Sequence, residues 1–186
     1  MTQTIKINDT IELTEVRETD KGAFVQHLND LTIFENTLMI PYPYTEENAE
    51  WFINYAREME AKHSFVVKFA IRTLLKDGDT EGSLIGGIGL MLNDSESKKH
   101  KAEIGYWLAQ SYRGQGIITE VIKGLTEHVF NTTDLIRLEA TVFEPNIASQ
   151  KALDKAGFKR EGFAEKFHLK PEDGTLHNAV LFAKVK

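Results

Sequence analysis

The sequence predicts a single mixed α/β (α+β) domain over residues 1–186, with a mostly antiparallel central sheet flanked by helices. Three observations lead there. The hydrophobic period switches repeatedly between strand-like and helix-like values. Three strand-like segments follow one another in the middle of the chain over short connections, which favours antiparallel pairing. A strand-helix-strand unit across Arg113 to Val142 requires a parallel crossover. The predicted order is β-α-α-β-β-β-α-β-α-β-β, with no repeat, low-complexity tract or linker.

Each element has its local reason. Ile5 to Val16 reads as extended, because Ile11, Leu13 and the residues after them alternate with polar ones. Thr19-Asp20 is a helix-start signal, and Phe24, Val25 and Leu28 supply the apolar stripe that follows. Ile40-Pro41-Tyr42-Pro43-Tyr44 stays out of a helix, because proline restricts itself and the residue before it. Thr45 then caps a helix carrying Trp51, Phe52, Tyr55 and Met59. Strands are predicted at Ser64 to Thr73, Ser83 to Leu92 and Ala102 to Leu108. A turn cluster, Asp77-Gly78-Asp79-Thr80-Glu81-Gly82, joins the first two. Ser111 to Gly116 opens a helix that ends near Phe130, and Ile136 to Phe143 is a strand. Asn146 to Ala156 is a helix stopped by Gly157. Phe158 to Leu169 and Leu176 to Val185 are the last strands, joined over Asp173-Gly174.

Composition narrows the function. The formal net charge of −6 disfavours nucleic acid and anionic membranes as partners, and tolerates an amine or a basic protein N-terminus. There is no cysteine, so a disulfide, a thiolate-metal site and a cysteine nucleophile are excluded. Six histidines lack His-Glu-x-x-His spacing, and no metal is predicted. The opening segment has no apolar signal-like run, and no stretch approaches the roughly 20 apolar residues of a membrane span. A cytoplasmic location is expected.

The chemistry concentrates in Glu103-Ile104-Gly105-Tyr106-Trp107-Leu108 followed by Arg113-Gly114-Gln115-Gly116-Ile117-Ile118-Thr119. A strand delivers the chain to a glycine-containing turn that opens a helix. Free amides there, with about half a positive charge from the helix dipole, suit a pyrophosphate. Arg113 is positioned in sequence to add a charge-assisted contact. The same two glycines also serve simply to permit a tight turn. A P-loop fits badly because Ile117 and Ile118 stand where Lys-Ser/Thr is needed. A Rossmann fingerprint fits poorly too: Thr119 replaces a small residue, and Glu139 lies within its strand instead of closing it.

Arg113-Gly114-Gln115-Gly116 after that strand resembles the acetyl-CoA motif of the GNAT N-acetyltransferase superfamily. Arg137-Leu138-Glu139-Ala140, Asn146-Ile147-Ala148-Ser149 and Lys155-Ala156-Gly157-Phe158 extend the likeness in order and spacing. It covers nearly the whole chain, and the predicted element order matches that superfamily's fold. The Pro/Tyr segment before a Trp-Phe-Ile helix, with Gly116-Ile117-Ile118-Thr119, resembles the RimJ/RimL-type ribosomal-protein N-terminal acetyltransferases. Ile118 departs from the Gly or Ala usual in the superfamily, and that group tolerates a larger residue there.

The resemblance implies acetyl-CoA as donor, a primary amine as acceptor, and a monomer or homodimer. It assigns Tyr106, Trp107 and Leu108 to a splayed strand edge that pairs with pantetheine; core packing is the alternative for Trp107 and Leu108. It assigns Gly114 to Thr119 to the pyrophosphate. Asn146 faces the pantetheine, or caps its helix, or both. Ser149 is a candidate to hydrogen-bond the departing sulfur, or is an ordinary helical serine. Glu103 leads as general base, with Glu165 and His168 as rivals; each is also an ordinary strand residue, and Glu139 reads as structural. Phe34, Tyr42, Tyr44 and Trp51 line an acceptor cleft or pack the first helices. Direct attack in a ternary complex is the expected route, with the Leu108 amide as oxyanion donor. Acetylation of a small molecule and non-catalytic acyl-CoA binding are the alternatives.

Overall fold

The computed structural model describes residues 4–74 and 82–186. Its strands are β1 (Ile5–Lys6), β2 (Ile11–Glu15), β3 (Lys68–Thr73), β4 (Leu84–Leu92), β5 (Lys101–Leu108), β6 (Arg137–Phe143), β7 (Lys159–Leu169) and β8 (Leu176–Val185). Its helices are α1 (Lys21–Leu28), α2 (Leu31–Asn36), α3 (Glu46–His63), α4 (Ile117–Thr132) and α5 (Ile147–Lys155). One sheet runs β1-β2-β3-β4-β5-β6-β8-β7. β5 and β6, joined through α4, are its parallel pair; the other neighbours are antiparallel.

Most predicted elements stand where the sequence put them, and the departures have local causes. The extended stretch from Ile5 to Val16 folds into a hairpin, because the Asn8 side chain accepts from the Thr10 and Ile11 amides and turns the chain. α2 was not predicted; Asp30 starts it by accepting from the Thr32 amide. The strand expected from Ser64 begins at Lys68, because Ser64 closes α3 in the left-handed region (φ 63°) with its amide on the Glu60 carbonyl. The cap of α3 is as expected, with Thr45 and Asn48 forming a reciprocal capping box. The turn cluster at Asp77 to Glu81 lies outside the described residues.

Each face of the sheet carries its own core. On one face, Val121, Ile122 and Leu125 of α4 and Leu153 of α5 pack on Ile71, Ile104 and Leu138. On the other, Phe24, Leu28, Ile33 and Ile53 from α1, α2 and α3 pack on Ala70 and Leu84. Each fully buried Leu, Ile or Phe contributes about 1.5–3 kcal/mol. α3 buries Ala49, Ile53 and Ala56, while Trp51 is 65% exposed and stacks on Tyr55 at 5.2 Å. Of the two readings of Trp51, packing of the first helices is therefore corrected: helical geometry turns that position outward. Tyr44 does pack, at 5% exposure.

A buried ion pair ties the sheet to the first helix. Arg72 of β3 reaches Asp20 at 2.6 Å and the Thr14 hydroxyl at 2.8 Å, and Asp20 also accepts from the Arg17 amide. These contacts satisfy two charges that would otherwise be costly to bury.

Candidate active site

The parallel ladder between β5 and β6 is short. It pairs Lys101 with Arg137, Ala102 with Leu138 and Glu103 with Glu139, and stops there. β5 goes on with β4 to Leu108, whereas β6 goes on with β8 to Phe143. The two strands therefore diverge and leave a gap in the sheet. At the end of β5, the Ala109 amide bonds the Ile85 carbonyl of β4 at 2.8 Å. By the alternation of an antiparallel pair, the backbone groups of Leu108 and Tyr106 point away from β4, into the gap. The Leu108 carbonyl is held there by Arg113 Nε at 2.9 Å.

One polar pair lies on each face of the gap. Tyr106 shares the α4/α5 face with Ile104 and Leu108, and its hydroxyl meets Ser149 Oγ at 2.7 Å. Burial pushes the Tyr106 phenol up to about 12, so it stays protonated. Ser149 is presented by the first turn of α5, which Asn146 caps by accepting from the Ser149 amide. On the opposite face, one oxygen of the Glu103 carboxylate accepts from both the amide and the hydroxyl of Thr141 on β6. His168 Nε2 lies 3.2 Å from the same Thr141 hydroxyl. Burial lowers the His168 pKa; Glu103 opposes that shift and His177 reinforces it.

The glycine turn has the form expected of an anion cradle. Gly114 and Gly116 have φ of 77° and 82°, the latter as N-cap of α4. The amides from Gly114 to Ile118 find no partner among the described residues. Gln115, Gly116 and Ile117 of that run line a cavity of about 660 Å³ together with Thr119, Lys123, Lys155 and Glu120, which pairs with Lys123 at 3.1 Å. A pyrophosphate suits that donor set, and the lysines suit a further phosphate. Ile118 turns inward against the core, which accounts for its size.

Other sequence candidates are placed elsewhere. Arg113 extends to Asp30 at 2.6 Å besides the Leu108 carbonyl, so its guanidinium joins β5 to the start of α2. Trp107 turns to the α1/α3 face and packs near Phe24 at 6.0 Å. Glu165 is exposed and joins no hydrogen bond with Glu103, Thr141 or His168. Glu139 is engaged by Lys101 and Arg137. Phe34 lies 6.0 Å from Tyr42. Lys170, fully buried beyond the end of β7, donates to the Phe34 carbonyl and sits 3.4 Å from its ring centroid. This contact joins the end of β7 to α2, the helix whose start Arg113 ties to the end of β5. The sequence reading missed Thr141, Lys170 and the bridging role of Asp30. Alternation on β6 put Thr141 on the Glu103 face, but nothing local marked it as polar for a purpose.

Comparison with known proteins agrees with this geometry. A family profile described as the acetyltransferase (GNAT) domain matches residues 10–159. The chain is 42% identical over 65 residues to a probable N-acetyltransferase, YjcK, of Bacillus subtilis, covering 35% of this chain and 36% of that one. It is 29% identical over 164 residues to the ribosomal-protein-serine acetyltransferase of Escherichia coli, covering 87% and 86%. The chain thus spans about a third of the first relative and most of the second. The fold superposes on that of RimL, a ribosomal L7/L12 α-N-protein acetyltransferase in complex with coenzyme A, with a TM-score of 0.82 at 19% identity over 98% of each chain. No helix among the described residues is long and apolar enough to cross a membrane.

Proposed function

The chain belongs to the GNAT acetyltransferase family, and from that membership we propose that it is an acetyl-CoA-dependent N-acetyltransferase acting on a protein N-terminal α-amine in the cytoplasm. The observation that carries the reading is the gap between β5 and β6 with a hydroxyl pair on one face and a carboxylate-hydroxyl-imidazole chain on the other. This arrangement suits acyl transfer to an amine, with an acceptor for the amine proton on one side and a donor to the leaving thiolate on the other.

Acetyl-CoA, when bound, supplies an activated acyl thioester. The amides of Gly114 to Ile118 would hold its pyrophosphate, and the gap-facing backbone of Tyr106 and Leu108 would hydrogen-bond the pantetheine arm. The gap-facing Leu108 amide would donate to the charge that develops on the acyl oxygen. Glu103, Thr141 and His168 take the proton as the amine nitrogen bonds the acyl carbon and the carbon–sulfur bond breaks. The Tyr106–Ser149 pair donates to the departing sulfur. Having no cysteine, the chain forms no cysteinyl acyl-enzyme, and attack is direct.

The ribosomal-protein acceptor rests on the likeness to the Escherichia coli serine acetyltransferase along most of both chains. It is tested by calorimetric titration with acetyl-CoA, then by thiol release with peptides of varied first residue. Micromolar binding and turnover on a free peptide N-terminus are expected. Turnover on small amines alone would refute the acceptor class, and absence of acetyl-CoA binding would refute the enzyme class.

A further inference from the structure

Thr141 occupies the centre of the polar chain, and its hydroxyl has one proton to give. The Glu103 carboxylate, when ionised, only accepts, and its Oε1 receives both the amide and the hydroxyl of Thr141. The hydroxyl proton is therefore committed to Glu103. His168 Nε2, 3.2 Å away on the other side, meets the oxygen's lone pairs and must be the donor there. A neutral imidazole that donates through Nε2 carries its lone pair on Nδ1. Among the described residues, Nδ1 has no hydrogen-bond partner.

The fold holds the ring in this pose. β7 carries a bulge between Ala164 and His168: three residues there face Asn178 alone, and the Lys166 amide (φ 48°) bonds the Asn178 side chain at 2.9 Å. Such bulges re-aim a side chain. The imidazole is fenced by Phe167, edge-on at 4.8 Å, and by Phe143 at 5.7 Å. Of charged and titratable groups, Glu103 on β5 and His177 on β8 act on it; His177 stacks on Phe143 and bonds the Thr175 hydroxyl.

We propose that Thr141 is the positioning residue for amine deprotonation: it holds His168 as the Nε2–H tautomer, so that Nδ1 is the atom that accepts the proton. This rests on the acetyl-transfer reading and deepens it, since it singles out His168 as the proton acceptor within the chain of Glu103, Thr141 and His168. As the amine nitrogen forms its bond to the acyl carbon, its proton passes to Nδ1, and the sulfur leaves with the electron pair of the broken carbon–sulfur bond. The imidazolium formed is stabilised through Nε2–H, the Thr141 hydroxyl and the Glu103 carboxylate. Its proton then returns the thiolate to a thiol by way of solvent, so the sum is amine plus thioester to amide plus thiol.

The test combines two readouts on the intact chain. Nitrogen-15 NMR of the His168 ring at pH 7.5 reports the tautomer without any acceptor present. Thiol release from acetyl-CoA with a serine-initiated peptide reports kcat and its pH profile, free of background because the protein has no cysteine. The wild type is expected as the Nε2–H tautomer. Thr141→Val is expected to lose that preference, to lower kcat about 10- to 100-fold, up to the lower end of the roughly 100- to 10,000-fold that a general base contributes because the imidazole itself remains, and to shift the acidic limb of the profile. Its acetyl-CoA affinity should stay within about 2-fold, the sign that the fold and cofactor site persist. Thr141→Ser should restore both readouts. An Nδ1–H tautomer in the wild type would overturn the proposal, as would normal kcat in Thr141→Val or failure of Thr141→Ser to restore it. Absence of acetyl-CoA binding by the wild type would instead overturn the acetyl-transfer reading, and the deprotonation role with it, while the ring measurement still decides the tautomer.

Discussion

Replacing Gly116 by alanine separates the two things this glycine does. Its φ of 82° lies in the left-handed region, and a Cβ there would meet nothing within 4 Å. The folding cost is therefore conformational alone, about 1–2 kcal/mol for an L-residue in that region. Gly174, at the turn between β7 and β8, has φ of 70° and equally open surroundings, so Gly174→Ala should cost about the same. Only Gly116 borders the cavity beneath the free amides of the α4 start. The methyl group would project where an anion approaches those amides and displace it from at least one charge-assisted hydrogen bond, worth about 1.5–3 kcal/mol. At about 1.4 kcal/mol per tenfold, the acetyl-CoA Kd should rise about 10- to 150-fold in Gly116→Ala and stay unchanged in Gly174→Ala. Urea denaturation gives the first quantity and calorimetric titration the second. Equal acetyl-CoA affinity in the two variants would refute the amide cradle as the anion site. A stability loss in Gly116→Ala far beyond that of Gly174→Ala would refute the claim of open space.

Ser149→Ala removes the hydroxyl that meets Tyr106. It should lower kcat about 10-fold, less than the roughly 100-fold or more of a full proton-transfer effect because the Tyr106 hydroxyl remains, with unchanged acetyl-CoA Kd, as read by thiol release and calorimetry. Asp20→Ala leaves the Arg72 charge buried without its carboxylate, and denaturation should show a loss of about 3–5 kcal/mol. Lys170→Met removes the donor to the Phe34 carbonyl of α2, the helix whose start Arg113 ties to the end of β5. Peptide KM should rise several-fold while acetyl-CoA affinity holds. Burial lowers the pKa of His27, His128 and His168 below the usual value of about 6.5. The unfolded chain therefore binds protons more readily, so stability is full above that value and falls as pH drops through it towards the lowered values. Thermal midpoints measured from pH 7.5 to 5 should decline, and His168→Asn should flatten the decline.

The fold was largely legible because its signals are local. Thr45 and Asn146 cap helices, Gly157 stops one, and Asp173-Gly174 turns a hairpin, each through groups within a few residues. α2 escaped notice because six residues carry too little periodicity to stand out, and Trp51 misled because a large aromatic draws attention to the wrong stripe of its helix. The glycine turn was legible for the same local reason: free amides follow from a glycine-bearing helix start.

The rest depended on distance in sequence. Glu103 meets Thr141, Tyr106 meets Ser149 and Arg113 meets Asp30 across separations of 38, 43 and 83 residues. No local preference encodes such contacts; they arise when β5 and β6 pair for three residues and then part. The sequence by itself determined the mixed domain, the family likeness and the glycine turn that opens α4, because backbone conformation and capping act over a few residues. Only the tertiary structure decided that Glu103 and His168 share one hydroxyl, that Glu165 stands apart and that Arg113 is held by a carboxylate. Strand register and the bulge in β7 set those distances, and both are properties of the assembled sheet.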